Sequence, residues 1–288
     1  MRYMFLRFPD GKPKAATFSY DDGCRADKKL SALLSKYSMK GTFNLNSAWF
    51  GKNENDWHLT RDEIEEYIIN RGHEIAVHGA EHKANGNIRV VDGIRDVLDC
   101  RLSLEKTFGS IVRGMAYPDT GVSQFHNGTT MADVEAYLKS LDIAYARALG
   151  EKNDSFDLPL NWYRWMPTSH HDSPDVFELI DRFVNHKTTD TWLARRTPKL
   201  FYLWGHAYEF DENNNWDRME DICQKLSGKD DIWYATNIEI YDYVTAYNSL
   251  IFSADGNIIY NPSVIKLWFE VDDVPFVIEP GETIKTEK

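Results

Sequence analysis

The sequence predicts an α/β protein, a barrel of parallel strands wrapped by helices, with a small β-rich appendage at its end. Three observations carry this expectation. Short apolar runs alternate with amphipathic helical stripes through residues 1–248. The runs are apolar on both faces, as strands covered by helices on either side must be. From residue 249 to 288 the pattern changes to apolar–polar alternation broken by tight-turn signals.

The apolar runs are Ala15–Tyr20, Thr42–Leu45, His73–Val77, Val112–Tyr117, Ile143–Ala146, Leu200–Trp204 and Ile232–Ala235. Seven strand-plus-helix units suit a barrel-like sheet better than a small open one. Between them, Leu30, Leu33, Leu34 and Tyr37 recur at helical spacing. Thr60 and Glu63 form a capping box ahead of Ile64, Tyr67 and Ile68. Val91, Ile94, Leu98 and Leu102 make a further stripe, expected to face the core. Ser173 and Pro174 open a stripe of Val176, Phe177, Ile180, Phe183 and Val184. Met219, Ile222, Cys223 and Leu226 form another, closed by Gly228, and a last helix is expected over Ile238–Tyr247. In the appendage Ile265, Leu267, Phe269 and Val271 alternate with Lys266, Trp268 and Glu270, as in a half-buried strand, and Asp255-Gly256-Asn257 and Pro280-Gly281 read as turns.

Composition bounds the function. The 288 residues are 42% hydrophobic and 27% charged, which excludes a disordered, collagenous or simple coiled-coil chain. With 33 Lys plus Arg against 45 Asp plus Glu, the net charge of −12 gives no overall field for nucleic acid or an anionic membrane. Three scattered cysteines, Cys24, Cys100 and Cys223, make neither a disulfide framework nor a CxxC metal site. Met1–Gly11 lacks the apolar core of a signal peptide and no run is long enough to span a bilayer, so a cytoplasmic location without a membrane partner is expected. The 9 Trp, 15 Tyr and 15 Phe are mostly core, but their faces also suit stacking on sugar rings.

Polar residues collect at the expected strand ends, where parallel α/β folds build their sites. The first strand ends at Asp21-Asp22-Gly23, the second near Asn44 and Asn46, the third at His78 with His82 four residues on. The fourth ends at Arg113…Tyr117-Pro118-Asp119 and the sixth at His206, with Tyr208, Glu209 and Asp211 behind it. Two histidines at that spacing with a carboxylate suit catalytic zinc, and also non-haem iron. Adjacent carboxylates repel unless a cation or shared proton relieves them, so Asp21-Asp22 strengthens the metal reading over a solvated turn. His206 could protonate a leaving group, or be a core histidine held by a carbonyl.

Phe18-Ser19-Tyr20-Asp21-Asp22-Gly23, His78-Gly79-Ala80-Glu81-His82, Arg113-Gly114-Met115-Ala116-Tyr117-Pro118 and Leu203-Trp204-Gly205-His206 together resemble the polysaccharide deacetylase family, the NodB-homology, carbohydrate esterase 4 type. The resemblance implies a distorted (β/α)7 barrel and a metal-dependent hydrolase that removes N- or O-linked acetyl groups from a carbohydrate. It implies Asp21 as the base that deprotonates the attacking water and Asp22, His78 and His82 as ligands of Zn2+ or another divalent transition metal. It implies Arg113 as the residue orienting the base, Tyr117 as a backbone donor to the oxyanion, and His206 as the general acid. This chain departs from the pattern at Gly79, where Ser or Thr is usual, and at Trp204, where Leu is usual. The family's Asp-Trp motif has only Asn161-Trp162 and Asp157 as stand-ins.

The segment from Gly150 to Asp172 is long for a connection and holds Trp162, Tyr163, Trp165, His170 and His171. It is expected to form a substrate wall, with Trp162, Trp165, His170, His171 and Tyr208 contacting the sugar, rather than merely capping the barrel. Two other readings stand beside the deacetylase: hydrolysis of another C–N bond of the allantoin type, and a carbohydrate-binding relative without turnover.

Overall fold

The computed structural model describes residues 2–51, 57–188 and 196–286. The strands and helices alternate as expected. In chain order the strands are β1 (Met4–Arg7), β2 (Lys14–Asp21), β3 (Thr42–Leu45), β4 (Glu74–Val77), β5 (Gly114–Ala116), β6 (Tyr145–Arg147), β7 (Ser169–His170), β8 (Lys199–Gly205) and β9 (Ile232–Tyr234). The helices are α1 (Asp27–Lys36), α2 (Arg61–Tyr67), α3 (Val90–Phe108), α4 (Met131–Ser140), α5 (Val176–Val184), α6 (Tyr208–Glu212), α7 (Trp216–Leu226) and α8 (Asn237–Asn248). Each of the seven expected runs overlaps one of the strands β2–β6, β8 and β9. The strands of this series that the sequence hid are β1 and β7, the latter having two residues, too few to show a period.

Strands β2 to β9 form one parallel sheet in the order β6-β5-β4-β3-β2-β8-β7, with β9 alongside the first half of β2. This is the distorted barrel the resemblance implied. β2 is its axis, buried at all eight positions. The gap between the outer strands is closed by the long segment before β7. Trp165 bridges Arg147 of β6 in parallel, donating its N–H to the Ala146 carbonyl (3.1 Å) and accepting from the Ala148 N–H (3.0 Å). Three residues later Thr168 donates its N–H to the Tyr202 carbonyl of β8 (2.7 Å). The segment is thus a stave of the barrel, which explains its length.

The Thr60–Glu63 capping box is present on α2. On α3 the helix is where the sequence places it, but the buried face is not. Gly93, Asp96, Val97, Cys100 and Leu104 turn inward, while Val91 and Leu102 are about half exposed. A polar residue, Asp96, sits on the buried face because the backbone it faces offers donors, and apolar periodicity cannot register that.

The appendage folds as two three-stranded antiparallel sheets. One consists of β1, β12 (Leu267–Val271) and β13 (Val274–Ile278); the other of β10 (Ile251–Phe252), β11 (Ile258–Tyr260) and β14 (Thr283–Lys285). The chain's first strand therefore pairs with its last segment, Leu6 opposite Phe269. Leu6, Phe8, Leu267 and Phe269 pack with Ala15, Leu200 and Tyr243. These residues seal the barrel at the end where β2 and β8 begin, opposite the polar strand ends. The Tyr243 hydroxyl stitches the two parts, donating to the Arg7 carbonyl (2.8 Å) and accepting from the Trp268 N–H (3.0 Å). No helix among the described residues is long and apolar enough to cross a membrane.

At that sealed end lies Glu74, the first residue of β4. Its carboxylate accepts from the Tyr145 hydroxyl (2.7 Å), the Thr42 hydroxyl (2.8 Å) and the Ile238 N–H (2.9 Å). Burial outweighs these donors and pushes its pKa up from 4.5 to about 7. A raised acid favours the folded state while protonated, so its contribution is complete below pH 4.5 and is lost as pH rises through about 7. The neutral isostere Glu74→Gln is expected to lose less stability than the parent between pH 5 and 8, by up to about 3 kcal/mol. Denaturant unfolding across that range reads the difference, and parallel pH profiles would refute it.

Candidate active site

The polar strand ends meet at the mouth of the barrel. Asp21 ends β2 in regular extended backbone, whereas Asp22 and Gly23 take positive φ values of 76° and 62°. The reversal sends the two adjacent carboxylates to different partners. The Asp21 side chain is 3% exposed; its Oδ2 pairs with the Arg147 guanidinium and its Oδ1 accepts from Asn44 Nδ2 (2.8 Å). Burial alone would raise its pKa, but the charges of Arg147, His78 and His206 and the Asn44 bond bring it below the ordinary carboxylate value. Asp21 is therefore an anion at neutral pH.

Asp22 faces the histidines. Its Oδ1 lies 3.6 Å from His78 Nε2 and 3.5 Å from His82 Nε2. That oxygen is buried and has no hydrogen-bond partner among the described residues. His78 Nδ1 stands 2.9 Å from the Ala116 carbonyl, an arrangement that keeps the proton on Nδ1 and turns the Nε2 lone pair toward Asp22. Burial lowers the His78 pKa, which favours the neutral, ligating form. The His82 ring stacks on Trp49 at 5.2 Å. Two imidazoles and an orphaned carboxylate oxygen, spaced like the edges of a zinc tetrahedron (about 3.3–3.4 Å), fit a divalent metal.

The loop carrying these histidines is held by Asp96 of α3. Its Oδ1 accepts from the Glu81 N–H (2.8 Å), and its backbone carbonyl accepts from the Ala80 N–H (3.1 Å). Gly79 has φ +73°, and a Cβ there would lie 2.2 Å from Asp96 Oδ2. The glycine that departs from the family pattern is thus required by the buried carboxylate beside it.

His206 follows β8 on the opposite side. Its Nε2 lies 3.9 Å from Asp21 Oδ2 and 4.0 Å from Asp22 Oδ2. Its Nδ1 lies 3.4 Å from Glu209 Oε2, the oxygen that also accepts the His206 backbone N–H (3.0 Å). Burial alone would lower the His206 pKa; Glu209, Asp21 and Asp22 raise it overall. Glu209 is thus the partner that neither Asp157 nor Asn161 supplies. Asp157 pairs with Lys199, and Asn161 bonds Glu135. His170 and His171 also reach Glu209, at 3.1 and 3.3 Å. The His171 side chain is fully buried between Tyr20 and Phe210, and burial pushes its pKa down to about 3. Gly205 makes room for it, since a Cβ there would lie 2.0 Å from His171 Nδ1.

Five expectations need correction. Arg113 does not reach Asp21; it precedes β5 and pairs with Asp242 in a partly exposed bridge (2.6 Å). The guanidinium on Asp21 is that of Arg147, at the end of β6, buried and lying over the Trp204 ring at 4.7 Å. The Tyr117 N–H is spent on the Arg147 carbonyl (3.1 Å), so it is not free to hold an oxyanion. Trp165 is wholly buried as part of the barrel wall, and Trp162 packs on it and on Tyr241, so neither faces the site. His171, likewise buried, lines the wall behind Glu209, whereas His170 and Tyr208 remain part-exposed near His206. Arg147, Glu209, Asn44 and Asp96 were not assigned roles from the sequence. Arg147 immediately follows the fifth apolar run, one of two strand ends to which no polar residue had been assigned.

The parallel barrel with helices around it is the distorted (β/α)7 fold of the NodB type. Residues 9–143, just under half of the chain, match the family model described as polysaccharide deacetylase. A candidate polysaccharide deacetylase from Mycobacterium smegmatis superposes with a TM-score of 0.58 at 16% identity, over 86% of this chain and 96% of that one. A variant of a carbohydrate esterase 4 pseudoenzyme from Bacillus anthracis, with restored enzymatic activity, has a TM-score of 0.50 at 13% identity, over 82% and 70%. At these identities the likeness is one of fold. No curated protein sequence matches the chain.

Two substitutions separate the arginines. Arg147→Met leaves Asp21 buried without its counter-charge, which should cost about 3–5 kcal/mol and raise the Asp21 pKa. Any residual activity should then have its acidic limb moved to higher pH. Arg113→Met should leave the pH profile unmoved. Gly79→Ala should lower stability by about 1–3 kcal/mol and weaken metal binding, because the clash displaces the loop between His78 and His82. Melting temperature and metal affinity measured on one preparation read both effects.

Proposed function

We propose that the protein is a metal-dependent hydrolase that removes acetyl groups from a carbohydrate. The observation that supports this best is the placement of Asp21 and His206 beside the Asp22-His78-His82 donor set, one an anion and the other disposed to carry a proton. A zinc or other divalent transition ion held by those three residues would supply Lewis acidity toward the acetyl carbonyl and toward water. The rest is the work of the chain.

Asp21 takes the proton from the attacking water. Its anionic state is maintained by Arg147, and Asn44 fixes the orientation of the carboxylate. His206 gives a proton to the departing amine or alcohol, and Glu209 keeps that imidazole charged and turned. Tyr208 lies beside His206, its ring 5.2 Å away, and Trp57, 49% exposed, packs on Tyr208 at 5.3 Å. These two rings offer an apolar face at the site's rim on which a sugar can stack. Trp57 takes the place that the sequence reading gave to Trp162 and Trp165.

Acetate release from a panel of acetylated glycans and small acetyl sugars, with chelator-treated protein and with protein given one molar equivalent of metal, tests the proposal. Metal-dependent acetate is expected. Ammonia or a ureide from amide substrates without acetate would transfer the site to other C–N bonds. No product from either set, with metal bound, would leave only a binding protein. Asp21→Asn should keep the metal and lose at least about a hundredfold in kcat. Glu209→Gln should lower the His206 pKa and so draw the alkaline limb of activity to lower pH; an unmoved limb would remove Glu209 from that role.

A further inference from the structure

Beside the proposed catalytic metal site, three imidazoles converge on one carboxylate oxygen. His170 Nε2, His171 Nε2 and His206 Nδ1 lie 3.1, 3.3 and 3.4 Å from Glu209 Oε2. We propose that His170, His206 and Glu209, backed by His171, form a second metal-binding site that takes a divalent transition ion such as zinc.

The donor chemistry supports this. One carboxylate oxygen that already accepts a backbone N–H cannot satisfy three further ring donors in good geometry. The His171 side chain is 0% exposed, and neither of its nitrogens has a hydrogen-bond partner among the described residues. Nitrogen lone pairs and a carboxylate crowded together repel unless protons or a cation lie between them. A single ion does this for all of them at once. Ligating atoms of His170, His206 and Glu209 lie within 4.8 Å of one another, and the measured N–O separations match the edges of a tetrahedral zinc site (about 3.3–3.4 Å). Trp204 and Phe210 pack against the imidazoles from the outside, as the apolar shell of a metal site does.

The site shares His206 with the proposed catalytic centre but uses the other nitrogen. An ion on Nδ1 replaces the proton that Glu209 would otherwise hold there, leaving a weaker acid on the Nε2 side. Filling the second site is therefore inhibitory, a consequence that rests on the acid role proposed above. The binding itself does not depend on that role.

The test is metal stoichiometry of the chelator-stripped full chain by titration calorimetry with Zn2+, and by Co2+ absorption. Two ions per chain are expected for the parent protein. His170→Ala, at a position about a quarter exposed, should bind one. Glu209→Gln should likewise bind one, with circular dichroism confirming the fold of each. A double variant, Asp22→Asn with His82→Ala, should also bind one ion and retain the site that His170→Ala removes. One ion in the parent, or two that survive both His170→Ala and Glu209→Gln, would overturn the proposal. Two ions in the Asp22/His82 variant, lost to one with His170→Ala, would refute the first metal site and leave the second standing.

Discussion

The contact on which the site depends is the buried pair of Asp21 and Arg147. A carboxylate with 3% of its side chain exposed stays ionised only beside a counter-charge. In sheet order Asp21 and Arg147 belong to strands separated by β3, β4 and β5. In a flat sheet those strands would lie about 19 Å apart, at roughly 4.8 Å per step. Their contact therefore requires the sheet to curl until its edge faces its axis. The stave at Trp165 fixes that curl, joining β6 through Ala146 and Ala148 and, three residues on, β8 through Thr168. Barrel closure and the ionised state of Asp21 are one structural fact.

The same economy divides the adjacent aspartates. The left-handed turn at Asp22 gives one carboxylate to an arginine and the other to two histidines, so that two anions one residue apart do not compete for a partner. On the far side His206 faces both carboxylates through Nε2, and Glu209 faces its Nδ1. Charge thus alternates across the mouth of the barrel, from Arg147 to Asp21 to His206 to Glu209. Each member sets the ionisation of the next.

Strands were legible in the sequence because both faces of each are buried, which makes them apolar runs. The inner face of α3 was illegible because Asp96 points inward to serve backbone donors. Arg113 shows the limit of motif spacing. It stands four residues before Tyr117, about 13 Å along an extended strand. If Tyr117 lies at the mouth, Arg113 must lie near the base, and there it meets Asp242. Arg147 ends its strand at the correct level, a matter of register that no local pattern records. Glu209 was within reach of sequence reasoning, because a carboxylate at i+3 on a short helix naturally faces back to the residue preceding it.

The departures from the family pattern are not isolated losses. Gly79 is needed because Asp96 fills the space a side chain would occupy. Trp204 gives Arg147 a ring to lie on, and so accompanies the arginine that stands on Asp21 in place of Arg113. Gly205 admits the His171 ring, which backs Glu209, and Glu209 in turn partners His206 where Asp157 does not. Drift after loss of function would remove charged groups without replacing them, leaving buried partners unsatisfied at a cost of several kcal/mol each. Here the charged groups Asp21, Asp22, His78, His82 and His206 remain together.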